Sequence, residues 1–139
     1  MKANIAWQEG VSFLGQVGSG HSVLMDGAPE AGGKNLGPRP MEMILLGLGG
    51  CTAFDVVHIL RKGRQAITGC QVEMDAQRAT EDPKVFTRIH LHFIITGKDL
   101  DPRQVERAIN LSAEKYCSAS MMLKATVDIT HDYEIIPDK

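Results

Sequence analysis

Residues 40–57 read PMEMILLGLGGCTAFDVV, and this apolar stretch decides the fold. It is too long for a strand and lacks the β-branched alternation of one, so it predicts a helix from Pro40 to about Lys62. Pro40 suits the first turn of a helix, and Glu42 complements the positive end of the helix dipole. Basic residues and a glycine at 61–64 are typical of the C-terminal end of a helix. Because its middle is apolar nearly all round, we expect this helix to be central and buried.

Two glycines precede the thiol of Cys51 inside this predicted helix. Gly49 and Gly50 each cost about 1 kcal/mol relative to alanine in a helix, so some other feature must compensate. Close approach of another backbone is one explanation, and access of a small substrate to the Cys51 thiol is another. Both explanations can hold at once.

On either side of the helix, short alternating segments predict strands. Residues 3–26 contain three strands, 27–38 form a loop, and 70–77 with 85–95 form a hairpin. A second helix begins at Asp101-Pro102 and runs to about Tyr116, with residues 118–122 as a connection and 125–135 as a last strand. The order βββ-α-ββ-α-β predicts an α+β fold with largely antiparallel sheets around the long central apolar helix. That helix is too apolar for a lone domain to cover, so we expect an intertwined dimer.

Length and composition narrow the class of protein. At 139 residues we expect one domain spanning 1–139. The chain is 43% hydrophobic and 23% charged, and its formal net charge of −2 argues against a nucleic-acid or anionic-membrane partner. The N-terminus lacks the apolar core of a signal peptide, and the longest apolar run is about half of the roughly 20 residues that a bilayer span needs. We therefore expect a cytoplasmic protein.

Three cysteines, at positions 51, 70 and 117, are too far apart for a CxxC pair or a zinc knuckle. Their odd number also argues against a disulfide framework, which leaves packing, nucleophilic and redox roles open. Cys70, at the start of a strand, is most simply a structural residue. His90 and His92 share one strand face, but the sequence supplies no third metal ligand. His58 lies seven residues after Cys51, where a thiol-activating base and a surface histidine are both possible.

Two motifs resemble those of the OsmC/Ohr family of thiol peroxidases. The segment GPRPME at 37–42 leads into LGGC at 48–51, and KYCSAS at 115–120 follows the second helix. The order of elements fits the family along nearly the whole chain. The chain looks most like the smaller YhfA-type branch, in which the first two segments are joined as they are here. The resemblance implies an intertwined homodimer with Cys51 as the peroxidatic thiolate and Cys117 as the resolving thiol.

The same resemblance implies the chemistry. Cys51 would reduce an organic hydroperoxide, Cys117 would resolve the resulting sulfenic acid as a disulfide, and a dithiol reductant would restore both thiols, with no cofactor. Peroxidases of the family pair an arginine on the N-terminal strands with a helix glutamate. Here no arginine precedes Arg39, and Met41 stands at the position of that glutamate, so Arg39 and Glu42 are the candidate electrostatic groups.

Two alternatives stay open. Glu42 could serve only to stabilise the helix dipole, and Arg39 could be an exposed loop charge. The whole protein could also be a non-enzymatic dimer that binds a small hydrophobic or thiol-reactive ligand in its interface groove.

Overall fold

The computed structural model describes all residues, Met1–Lys139. Its strands are β1 (Ala3–Glu9), β2 (Ser12–Val17), β3 (Ser22–Met25), β4 (Ala66–Arg78), β5 (Phe86–Lys98) and β6 (Asp128–Pro137). Its helices are α1 (Pro40–Lys62), α2 (Pro102–Leu111) and α3 (Ser118–Leu123). The α+β class, the two three-stranded sheets and the long apolar helix confirm the predicted fold. The chain divides into two compact units, Met1–Leu46 and Gly47–Lys139, so the single domain over 1–139 stays a prediction.

In the N-terminal unit, β1, β2 and β3 form an antiparallel meander, and the loop that follows is organised by Asp26. The buried carboxylate of Asp26 accepts hydrogen bonds from the backbone N–H groups of Gly27 (2.7 Å), Lys34 (3.0 Å) and Leu36 (3.2 Å). Burial alone would raise the pKa of Asp26, but these hydrogen bonds lower it below its usual value. The loop that leads into α1 is therefore ordered by one side chain.

In the C-terminal unit, β5 lies between β4 and β6. The β4–β5 hairpin is antiparallel, as predicted, and the sheets are largely antiparallel, with one exception: β6 pairs with β5 in parallel. The two helices between β5 and β6 return the chain to the starting edge of the sheet, which is the crossover that a parallel pair needs. Alternate residues of β5 are buried and form the centre of this unit: Ile89, Leu91, Phe93 and Ile95.

Only one stripe of α1 is buried within the chain. Its members recur every four residues, at Leu48, Thr52, Val56 and Leu60. Phe54 is 72% exposed, so the single chain leaves part of this apolar helix uncovered, as its composition predicted. At 23 residues and a mean hydropathy of 1.8, α1 is long and apolar enough to cross a membrane, a test that core helices of soluble proteins also pass.

The two glycines before Cys51 have different surroundings. A Cβ at Gly49 would lie 2.5 Å from Met74 Cε of β4, so a side chain rather than another backbone makes the close approach. A Cβ at Gly50 would meet nothing within 4 Å. Close packing against Met74 therefore explains the glycine at position 49. Gly50, which precedes Cys51, faces open space.

The second helix ends earlier than predicted. The α-helix stops at Leu111, a π-helical turn covers Ser112–Tyr116, and residues expected to be a connection form α3. The sequence pattern is compatible with a helix throughout, so periodicity alone does not mark the change of helical pitch. The π-helical turn sets the direction of the residue that follows it, Cys117.

Candidate active site

The structure brings together Cys51 and Cys117, the two thiols that the sequence singled out. Cys51 lies in the middle of α1 and is partly exposed, whereas Cys117 is fully buried at the start of α3. Cys51 lies near enough to Cys117 to contribute to the raised pKa of the Cys117 thiol. Two residues 66 positions apart in the chain (117 − 51) thus form a dithiol pair.

The environment of Cys117 keeps it protonated. Burial raises its pKa to about 11, and the neighbouring Cys51 acts in the same direction. The backbone N–H of Ser120 donates to Cys117 Sγ at 3.3 Å and partly offsets this. Since the thiolate is the nucleophilic form, Cys117 is poorly suited to attack first.

The π-helical turn fixes the backbone of Cys117. Its N–H donates to the carbonyl oxygen of Ser112 at 2.9 Å, five residues earlier, and its side chain then caps α3. Insertions of this kind inside α-helices are frequent at functional sites because they redirect a side chain. Here the redirected side chain is the thiol that meets Cys51.

A buried chain of polar groups, which sequence reasoning missed, links the two elements that carry the thiols. Ser112 Oγ donates to Asp55 Oδ2 at 2.9 Å, so its lone pair accepts from Thr52 Oγ1 at 2.8 Å. Thr52 follows Cys51, and Asp55 lies one helical turn beyond it. Ser112 lies within the predicted second helix, and a polar residue on its core-facing side would have been the available signal.

Two cavities adjoin this site. One of about 580 Å³ lies between α1 and α2 and is lined by Asp55, His58, Lys62 and Arg107 among others. The second, of about 760 Å³, runs along α1 from Gly50 to Lys62, and Phe54, Arg61 and Cys70 are among the residues that line it. Asp55 therefore connects a buried hydrogen-bond network to an open cavity.

Arg39 and Glu42 are both occupied within their own segment. Glu42 Oε1 accepts from the backbone N–H of Arg39 at 2.8 Å, which is the reach-back half of a helix capping box. The Arg39 guanidinium donates to Asn35 Oδ1 at 2.6 Å and to the Gly37 carbonyl at 3.3 Å. The two side chains form no ion pair with each other, and their assignment to the site stays a prediction.

The other candidate residues have local partners. His58 stacks on Phe54, with ring centroids 6.1 Å apart. Both His90 and His92 contact Asp132 Oδ1, at 2.9 and 2.7 Å, and no group of three or more ligand-type side chains has the arrangement of a metal site. Cys70 is half-buried on β4, and burial raises the pKa of its thiol. None of these residues contributes to the dithiol contact.

Comparison with known proteins identifies the family. The family model described as OsmC-like protein matches residues 32–132, which include both thiols of the pair. The chain belongs to the OsmC-like family. It is 52% identical over 136 residues to Protein YhfA of Escherichia coli strain K12, with 98% of each chain covered.

Solved structures share the OsmC-like fold. A hypothetical protein from Aquifex aeolicus VF5 is 25% identical, with 99% of this chain and 97% of that chain covered and a TM-score of 0.87. The organic hydroperoxide resistance protein OhrB of Bacillus subtilis is 19% identical, with 96% and 98% covered and a TM-score of 0.64. At that identity the second likeness shows the fold alone.

Proposed function

We propose that this OsmC-like protein is a thiol-dependent peroxidase that reduces organic hydroperoxides in defence against oxidative stress, in the cytoplasm. The observation that carries the proposal is the difference in burial between two neighbouring thiols, the partly exposed Cys51 and the fully buried Cys117. A peroxidase with a resolving cysteine needs this asymmetry. The attacking thiol must be accessible to the peroxide, whereas the resolving thiol reacts only after the sulfenic acid has formed.

The reaction has two steps. The Cys51 thiolate attacks the distal oxygen of ROOH, the O–O bond breaks, and with one proton taken up the products are Cys51–SOH and ROH. The Cys117 thiol then attacks the sulfenic sulfur, an S–S bond forms, and the hydroxyl leaves as water with the Cys117 proton. A small or protein dithiol restores both thiols by exchange and becomes the disulfide itself.

The surroundings of Cys51 favour an organic peroxide. The 760 Å³ cavity that begins at the adjacent Gly50 has an apolar part formed by Ala53, Phe54 and Val57, and His58, Arg61 and Lys62 also line it. An alkyl or aryl group gains free energy on leaving water for such a surface, whereas hydrogen peroxide has no apolar part to bury. The OsmC-like fold is also that of proteins named for organic hydroperoxide resistance.

The test is a count of thiols after oxidation. We expect one equivalent of cumene hydroperoxide to remove two of the three free thiols per chain within seconds. Cys51→Ser should abolish the loss. Cys117→Ser should stop at a sulfenic acid that dimedone traps on Cys51, and Cys70→Ser should behave as the unmodified protein. Oxidation no faster than that of glutathione would overturn the proposal.

The second candidate function is a non-enzymatic dimer that binds a small hydrophobic or thiol-reactive ligand. The hydrogen bonds of the Arg39 guanidinium to Asn35 and Gly37 favour it, because they hold this candidate cation within its own loop. In that case, cumene hydroperoxide leaves the thiol count unchanged, while an apolar probe such as cumyl alcohol still perturbs the fluorescence of Trp7 or the NMR signals of α1.

A further inference from the structure

One hydrogen-bonded chain joins the helix of Cys51 to the turn that carries Cys117. Its direction is fixed, because the single O–H of Ser112 donates to Asp55 Oδ2 (2.9 Å) and leaves only a lone pair for the O–H of Thr52 (2.8 Å). Ser112 and Thr52 are both buried, and every buried polar side-chain atom has a partner. The hydrogen-bonded chain therefore leaves no buried polar side-chain atom unpaired, and each hydroxyl group in it donates in one direction.

Ser112 forms hydrogen bonds through both its side-chain hydroxyl and its backbone carbonyl. Its hydroxyl holds two side chains of α1, and its carbonyl accepts the backbone N–H of Cys117 at 2.9 Å. A single residue thus spans the gap between the element of one thiol and the backbone of the other.

We propose that Thr52, Ser112 and Asp55 are positioning residues that hold the thiol of Cys117 against that of Cys51. The proposal concerns the resolving step, and it rests on the proposed function only for its biological meaning. The three residues do not touch the peroxide. They act by raising the concentration at which Cys117 is presented to Cys51.

The experiment measures that concentration without any peroxide. Protein dithiol and oxidised glutathione exchange to protein disulfide and two reduced glutathiones, so one S–S bond breaks as another forms. The equilibrium ratio in glutathione buffers, read by mass spectrometry after acid quench, gives the effective concentration of one thiol for the other. A Cys70→Ser background leaves only the two relevant thiols.

Thr52 supplies the sharpest pair of variants. Thr52→Val keeps the shape and removes the hydroxyl, whereas Thr52→Ser keeps the hydroxyl and removes a methyl group. We expect Thr52→Val to lower the effective concentration about tenfold, which is about 30 mV for this two-electron couple, and Thr52→Ser to stay within twofold. A packing role would give the reverse order.

Further variants test whether Thr52, Ser112 and Asp55 act together. Ser112→Ala and Asp55→Asn should each give a loss of about tenfold or more, and the double variant should lose little beyond the larger single loss. Ser118→Ala, an exposed serine one residue after Cys117, is the matched control and should show no change. Circular dichroism well below the melting temperature verifies that each variant is folded.

The possible outcomes distinguish the positioning role from the peroxidase activity. Thr52→Val with a lowered melting temperature but unchanged effective concentration would overturn the positioning role. A protein whose thiols form no disulfide in any glutathione buffer would overturn both this role and the resolving step. A protein that forms the disulfide but ignores cumene hydroperoxide would refute only the peroxidase, and the effect of Thr52→Val would still decide the present proposal.

Discussion

At the scale of single residues, burial assigns the two thiols of the pair different chemical behaviour. Cys117 is fully buried, and its pKa of about 11 leaves roughly one molecule in a thousand as thiolate at pH 8. Cys51 is partly exposed and borders open space at Gly50. A reagent that needs an accessible thiolate should therefore distinguish them.

We expect iodoacetamide to alkylate Cys51 at least tenfold faster than Cys117 in the reduced, folded protein at pH 8. The reason is that Cys117 is both inaccessible and held protonated. Peptide mass spectrometry after a short reaction gives the two rates, and the same reaction in urea, where the environments become equal, is the control. Equal labelling in the folded state would contradict the asymmetry on which the peroxidase proposal depends.

Residues differ in how far the sequence alone could assign them. Cys51 and Cys117 each lie in a motif, so their family resemblance identified both. Thr52, Ser112 and Asp55 carry no motif, and their relation depends on a π-helical turn that brings positions 52 and 112 within 2.8 Å. Glu42 was predicted to have either an electrostatic or a helix-end role, and its hydrogen bond to the Arg39 N–H is of the second kind.

At the scale of elements, the outward face of the β5–β6 pair carries a network of histidines and carboxylates. His92 contacts Asp132 at 2.7 Å and Glu134 at 3.0 Å, and Glu73 of β4 lies opposite it in register. Hydrogen bonds to Glu134 and Asp132 raise the pKa of His92, and those with His92 and His90 lower the pKa of Asp132. The protonated imidazole therefore favours the folded state.

This raised pKa predicts a pH-dependent stability. Because the charged form of His92 is favoured on folding, its contribution is fully present below the unfolded-state pKa of about 6.5 and is lost as the pH rises through the higher folded-state value. We expect His92→Gln to lower the free energy of unfolding more at pH 6 than at pH 8.5, measured by urea denaturation.

A matched control and a direct titration complete that test. His21→Gln, at an exposed turn where the imidazole contacts only Ser19, should not reproduce the difference between the two pH values. In NMR, the midpoint of His92 should lie above 6.5 and fall in Asp132→Asn. A midpoint below 6.5, or an equal loss of stability at both pH values, would refute the interpretation.

The direction of a strand is a feature that the sequence pattern could not predict. The alternation of residues 125–135 predicts a strand but carries no direction, so the parallel pairing of β6 with β5 could not be read from it. The direction follows from the two helices that intervene. The hairpin of β4 and β5 was predictable because its strands are adjacent in the sequence and joined by a turn at Pro83.

At the scale of the whole molecule, the single chain leaves much apolar surface exposed. Trp7 is 68% exposed and Met122 is 72% exposed, and so is much of α1 beyond its buried stripe. The exposed apolar side chains of α1 include Leu46 and Phe54, and exposed apolar surface of this kind marks an interaction site. The composition of residues 40–57 predicted this surplus, and we propose that a second copy of the chain covers it, as an intertwined homodimer would.

We expect the protein to sediment at micromolar concentration with twice the 15.2 kDa mass of the chain. Phe54→Asp should shift it towards the monomer, because the homodimer would place the new carboxylate in an apolar interface without a partner. Val85→Asp is the control, since Val85 is 52% exposed in the turn before β5, away from α1 in the sequence, and should leave the mass unchanged. A wild-type protein that sediments at 15.2 kDa would refute the homodimer, and the exposed side chains of α1 would then need a different partner.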